Sequence, residues 1–199
     1  MHSYLRKWSA AAGLALGLVL VAGGAGAQGA SVEGIRFEST IQVGGQTLQL
    51  NGTGIRTRAI FKVYAAGLYV PKKSADAAGV IGEKGPRRVS LGLLRTVDAD
   101  SFISSFNDGM KANVPEAQLA ALKPRIDALD AILKSIGEAK KGDLINFDYT
   151  PEGGTRITVN GQARGNAIAG EDFYSAVLRI WLGGKPVDAG LKQGLLGQS

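Results

Sequence analysis

The sequence predicts an α+β domain: an antiparallel β-sheet with helices packed on one face. Three observations carry that expectation. Alternating apolar and polar residues recur between 37 and 95 and again between 143 and 166, the period-two signature of half-buried strands. Segments after residue 98 and after residue 170 place apolar residues three and four apart, which is helical spacing. The resulting order is strands, helices, hairpin, helices, an α+β pattern.

The elements follow in turn. Phe37 to Leu50 reads as a hairpin: Thr40-Ile41-Gln42-Val43 alternates, Gly44-Gly45 turns, and Thr47-Leu48-Gln49-Leu50 alternates again. Asn51-Gly52 signals the next turn. Gly54 to Val70 is rich in β-branched and aromatic residues and lacks proline, so it reads as one long strand or a coupled strand pair ending at Pro71. Lys72 to Gly85 reads as loop with one helical turn near Ala75, and Arg87 to Arg95 as a strand. Asp98 is a good N-cap for a helix through Asn113, with Phe102, Ile103, Phe106 and Met110 on one face. Pro115 opens a second helix whose stripe is Leu119, Leu122, Ile126, Leu129, Leu133 and Ile136, and Gly137 ends it. Pro124 should kink or split that helix. Asp143 to Tyr149 and Thr155 to Val159 form a hairpin around Pro151-Glu152-Gly153-Gly154, and Asn160-Gly161 turns into a short further strand. Gly170-Glu171-Asp172 opens a helix with acidic residues at its positive end. Phe173, Val177, Ile180 and Trp181 line its buried side, and Pro186 starts a closing helix through Leu196.

Composition excludes several chemistries. The chain has no cysteine, and its single histidine is His2. Arg6 and Lys7, the apolar stretch Ala10 to Gly24 and the small residues Ala25-Gly26-Ala27 read as a secretory signal peptide cleaved between Ala27 and Gln28. The apolar stretch is about 15 residues, short of the ~20 a membrane span needs, so no stable membrane span is expected. The chain thus divides into a leader, 1–27, and one domain, 28–199, in the periplasm or secreted. Without His2 the domain has neither a thiol nor an imidazole nucleophile, and no imidazole or thiolate metal site. No metal site and no cofactor is expected. The formal charge of +6 falls to +4 without Arg6 and Lys7. With no long basic run, nucleic acid is not an expected partner.

Within Gly54 to Val70, side chains alternate between faces. Ile55, Thr57, Ala59, Phe61, Val63, Ala65 and Tyr69 form a set apolar enough for a core face. The other set contains Arg56, Arg58, Ile60, Lys62, Tyr64, Ala66 and Leu68. On an unbroken strand Arg56 and Tyr64 point the same way, and a guanidinium beside a phenol can hold a carboxylate.

The wording of this segment, centred on Lys62-Val63-Tyr64-Ala65-Ala66-Gly67-Leu68-Tyr69, together with Tyr174-Ser175-Ala176-Val177-Leu178 and Gly183, resembles the chalcone isomerase superfamily, most closely its bacterial chalcone-isomerase-like branch. The resemblance spans roughly Asn51 to Gly183. It implies an antiparallel sheet with a ligand cleft between sheet and helices. It also implies a strand arginine at Arg56, with Tyr64 where isomerases carry a threonine. Leu93, Phe102 and Gly109 fall where they carry a lysine, a tyrosine and an asparagine. Phe102 cannot donate a proton, and Leu93 cannot stabilise an oxyanion. Non-catalytic members bind fatty acids with an arginine and a tyrosine, so the resemblance implies a binding protein for a small apolar carboxylate such as a fatty acid, with Arg56, Tyr64 and Phe102 as ligand-binding residues and none catalytic. Two alternatives stay open: an isomerase of low activity that works by positioning, and a scaffold whose cleft its own side chains fill. Several residues have plain structural readings as well. Arg56 can bridge to Asp148. Tyr64, Phe102, Phe106 and Trp181 can be core. Arg87-Arg88 reads as a solvated strand start.

Overall fold

The computed structural model describes residues 29–198; the expected leader and its Ala27–Gln28 cleavage site lie outside the described residues. Two short strands, β1 (Ala30–Val32) and β2 (Ile35–Phe37), pair as a hairpin. The main sheet contains β3 (Thr40–Val43), β4 (Gln46–Arg58), β5 (Phe61–Val70), β6 (Arg87–Leu93), β9 (Leu144–Thr150), β10 (Gly154–Val159) and β11 (Gln162–Ile168). A two-residue pair, β7 (Val97–Asp98) with β8 (Glu138–Ala139), stands apart. The seven strands lie in the order β11-β10-β9-β6-β5-β4-β3, every pair antiparallel. The helices are α1 (Ala77–Gly82), α2 (Ala99–Asn113), α3 (Glu116–Ile136), α4 (Glu171–Leu182) and α5 (Ala189–Leu195).

All five helices contribute to a single apolar core on one face of the sheet, which includes Val80, Phe106, Met110, Leu122, Leu129, Val177, Trp181 and Leu191. The expected α+β arrangement is therefore present. Asp98 caps α2 as read from the sequence, accepting from the Ser101 N–H at 2.8 Å. α3 runs unbroken through Pro124, against the expected split. The loop expected from Lys72 to Gly85 contains the short α1, capped by Asp76, which accepts from Ala78 N at 3.0 Å and Gly79 N at 2.9 Å.

In the strand region one of the two alternatives for Gly54 to Val70 holds, and two expectations are corrected. Gly54 to Val70 is a strand pair, with Ala59-Ile60 as the two-residue turn between β4 and β5. Asn51-Gly52 is not a turn. It lies inside β4, where the register slips by one residue between Leu50 and Gly52, a β-bulge. The Asn51 side chain there donates to the carbonyls of Ser74 (2.9 Å) and Leu195 (2.7 Å) and accepts from Ser74 N (2.7 Å), so it ties β4 to the loop after β5 and to α5. Gly52 allows that approach, because a Cβ would lie 2.1 Å from the Gly194 carbonyl. The expected core face is also reversed. Tyr64, Ala66, Leu68 and Val70 face the helices, while Ala65 and Tyr69 join Phe37, Val43 and Leu48 in a second cluster, with Val32 and Ile35 packed against it. Strand alternation was read correctly from Tyr64 to Val70, but both faces of β5 are covered there, so apolarity does not identify the helix side.

Candidate functional site

A second slip of register, between Arg56 and Thr57, places Arg56 opposite Tyr64 and Thr57 opposite Lys62, leaving Val63 as the extra residue of a bulge on β5. Tyr64 in turn faces Leu93 on β6. Directly opposed residues share a sheet face, so Arg56, Tyr64 and Leu93 form a row across three strands beneath α2 and α4. The sequence placed Arg56 and Tyr64 on one face of one strand; the structure brings them together across a hairpin.

The row opens into a cavity of about 370 Å³ lined by Arg56, Arg58, Phe61, Tyr64, Arg95 and Phe102, among others. All three predicted ligand-binding residues thus meet at one site. The Arg56 guanidinium is half-buried and sits 5.7 Å from the Tyr64 ring centroid. Arg95 lies over Phe61 at 4.8 Å. Among the described residues, no carboxylate lies within ion-pair distance of Arg56, Arg58 or Arg95. Asp148, the partner considered for Arg56, is held by Arg88 instead, with Nη2 to Oδ2 at 2.6 Å. The carboxylate on the cavity wall, Asp98, is engaged in capping α2, and the hydrogen bond from Ser101 N holds it below the usual aspartate range. Asp188 lies nearby but accepts from Thr57 N at 3.0 Å and Leu191 N at 2.9 Å, which fixes α5 against β4. The cavity therefore presents three arginines against one occupied aspartate, a field that favours an anion.

Tyr64 is both core and site. It is 2% exposed, and its hydroxyl accepts from Trp181 Nε1 at 2.9 Å. Burial pushes its phenol up, and Arg56 beside it offsets only part of that. The hydroxyl stays protonated at neutral pH and can donate toward a carboxylate at Arg56. Beneath Tyr64 the hollow closes. Phe102, Phe106, Ile180, Trp181 and Val187 leave only about 10 Å³, roughly the space of a single water probe at most. Phe106 stands between Phe102 (ring centroids 6.4 Å) and Trp181 (6.1 Å). Trp181 and Phe106 are core, as their plain reading had it. Phe102 is partly buried and lines both the cavity and its inner end.

The positions that would carry isomerase chemistry are apolar and packed. Leu93 is 1% exposed. A Cβ on Gly109 would lie 2.9 Å from Cγ2 of Ile180, so an asparagine there displaces the Ile180 side chain. Arg58, Arg95 and Phe61 were not identified from the sequence as cavity residues. Arg58 stands two positions beyond Arg56 on the same strand, and that spacing was the available signal. Arg95 arrives from the end of a different strand, which no local pattern reveals.

A larger groove of about 560 Å³ runs between α2 and α3, lined by Met110, Leu119 and Ile126 with Lys111, Lys123, Glu116, Asp127 and Asp130. Its acids outnumber its lysines, and Lys123 is paired with Asp127, so it offers a carboxylate no favourable field. Among the described residues, no cluster of three potential metal ligands occurs, and no helix is long and apolar enough to cross a membrane.

No curated protein matches the sequence. Among solved structures, a fatty-acid binding protein of Arabidopsis thaliana is similar, with a TM-score of 0.62 over 82% of this chain and 92% of that one at 15% sequence identity; the likeness is one of fold. The sequence model described as chalcone isomerase-like matches residues 29–197. The chain therefore belongs to the chalcone isomerase-like family.

Proposed function

We propose that this chain is a binding protein for a small apolar carboxylate, fatty acids included, of the bacterial chalcone-isomerase-like type. The observation that carries the reading is Arg56: a half-buried guanidinium lining a cavity, with no carboxylate of the described residues within ion-pair distance, next to a protonated Tyr64 and the ring of Phe102. The fold shared with a plant fatty-acid binding protein supports it. A carboxylate at Arg56 receives charge-assisted hydrogen bonds worth about 3 kcal/mol. A tail of about ten methylenes adds roughly 8 kcal/mol, and immobilisation removes at least about 4. The balance corresponds to a dissociation constant near 10 µM. The cavity is at the small end of the ~300–1,000 Å³ usual for ligand sites, so a longer tail requires Phe102 to swing away from the closed inner end.

Native mass spectrometry of gently purified protein tests this. A co-purifying carboxylate of fatty-acid mass, absent from Arg56→Ala, is expected. The closed inner end supports a second reading, a scaffold whose cleft is filled by its own side chains. Ligand-free protein with no affinity for added dodecanoate establishes that reading in place of the first. Export belongs to the same proposal: the mature protein begins at Gln28 in the periplasm or medium, and N-terminal sequencing that finds Met1 contradicts it.

A further inference from the structure

Four two-residue hairpin turns occur among the described residues. Glu33-Gly34, Gly44-Gly45 and Asn160-Gly161 carry glycine second and positive φ at both positions, the chemistry such turns favour. The fourth, Ala59-Ile60 between β4 and β5, has neither glycine nor a polar residue, and Ala59 is held at φ 54°, a region costly for a residue with a Cβ. Ile60 is 85% exposed and Phe61 is 54% exposed, the two large apolar side chains among the described residues that stand out into solvent. Local folding preference opposes this turn at its conformation and at its surface alike, so folding does not account for it.

Several cations stand at the same end of the sheet as the tip. Arg58 and Arg95 are exposed and unpaired among the described residues, while Lys62 is paired with Glu33 at 2.8 Å. The turn after β8 adds exposed Lys140 and Lys141 at the same end of the sheet, since Gly142 N donates to Leu93 O and Leu94 N to Val63 O. Apolar side chains projecting from a basic end of the sheet match an anionic bilayer surface, in which rings and branched chains enter the interface and cations meet headgroup phosphates. Arg58, Ala59 and Phe61 also line the cavity, so the same contact would set the cavity mouth against the lipid.

We propose that the β4–β5 hairpin tip, through Ile60 and Phe61 with Arg58, Arg95, Lys140 and Lys141 at the same end of the sheet, docks the protein on an anionic phospholipid surface with its cavity mouth facing the bilayer. The use of that contact for loading a carboxylate rests on the function proposed above; the docking itself does not.

Co-flotation of ligand-free protein with phosphatidylcholine vesicles containing about a third phosphatidylglycerol tests the docking alone. The wild type is expected to float, less so as salt rises above roughly 0.3 M and not at all on pure phosphatidylcholine. Ile60→Glu, at a position outside the cavity lining, is expected to weaken vesicle binding at least about tenfold, whereas Ile60→Leu retains it. Dodecanoate binding in vesicle-free buffer reports on the cavity alone and is expected to be unchanged in Ile60→Glu. A wild type that floats but does not bind dodecanoate would count against the carboxylate reading and leave the docking standing. A wild type that does not float, or an Ile60→Glu variant that floats equally well, overturns the docking. So does a wild-type dimer that Ile60→Glu dissociates with no vesicle binding, which would assign the tip to a second copy of the chain.

Discussion

At one end of the sheet, Arg87 opens β6 fully buried between the rings of Tyr149 and Tyr174, at 5.1 and 5.2 Å from their centroids. At the other end, Arg56 looks across the hairpin into an open cavity beside Tyr64. Both are strand arginines next to tyrosine. Arg87 donates to the carbonyls of Val80 (3.1 Å) and Ile81 (2.9 Å), which satisfies the last turn of α1. Its Nη2 is 3.8 Å from Glu171, which is itself engaged by Lys84. Among the described residues Arg56 has no such set of partners. Arg87 is enclosed by rings and held by carbonyl acceptors at one nitrogen, with Nε and Nη2 left without hydrogen-bond partners, and it belongs to the core; Arg56 faces a cavity.

Replacing Arg87 breaks that comparison most severely. Arg87→Ala removes two ring contacts and the α1 carbonyl partners, and leaves a void. A loss of about 4 kcal/mol in denaturant unfolding is expected. Arg87→Met keeps the volume and sheds a charge whose burial is costly, so its loss should be smaller, about 1–2 kcal/mol. Equal losses in the two variants would mean the charge itself is what matters.

The buried phenols at both ends of the sheet, Tyr64 included, should make the fold sensitive to alkali. Burial raises the phenols of Tyr149 and Tyr174, and on the opposite face of the sheet it pushes Tyr69 up to about 12. A raised folded value means that the native state keeps protons the unfolded chain has released. This stability is fully present below the ordinary tyrosine value near 10 and is lost as pH rises through the folded values. A Tm series from pH 9 to about 12 should fall steeply above roughly pH 10, with tyrosinate absorbance appearing together with unfolding. Tyrosinate appearing in folded protein at about pH 10 contradicts the assigned burial.

Asn51→Ala should come next. It removes three hydrogen bonds linking β4 to the loop before α1 and to α5, and a loss of about 2 kcal/mol is expected in the same unfolding assay. At the cavity end the sign reverses. Ala59→Gly relieves the positive φ of the tip and should stabilise the protein by up to about 1 kcal/mol; a destabilised variant would show that Ala59 is not strained.

How far the sequence revealed this molecule depends on the reach of each signal. The Asp98 cap, the Gly44-Gly45 and Asn160-Gly161 turns and the end of α3 at Gly137 were legible because each is decided within a few residues. Asn51-Gly52 looked like a turn and is a bulge, because its partners, Ser74 and Leu195, lie 23 and 144 residues away. Arg87-Arg88 looked solvated, because neither the stacking of Tyr149 and Tyr174 nor the position of Asp148 is written beside it. The site was legible as a pair, Arg56 with Tyr64, and Phe102 was legible through the family resemblance. The basic mouth contributed by Arg95 and the closure of the inner hollow by Trp181 and Ile180 depend on segments brought together only by the fold.

Under the proposed function, Arg56 is held open for a carboxylate and does little for the fold. Calorimetric titration of dodecanoate into wild-type and Arg56→Ala protein, with the Tm of both recorded, tests it most directly. The account predicts binding near 10 µM in the wild type, at least tenfold weaker binding in the variant, and unfolding free energies within about 0.5 kcal/mol of one another. Equal affinities would contradict the account, as would a variant that unfolds as readily as Arg87→Ala.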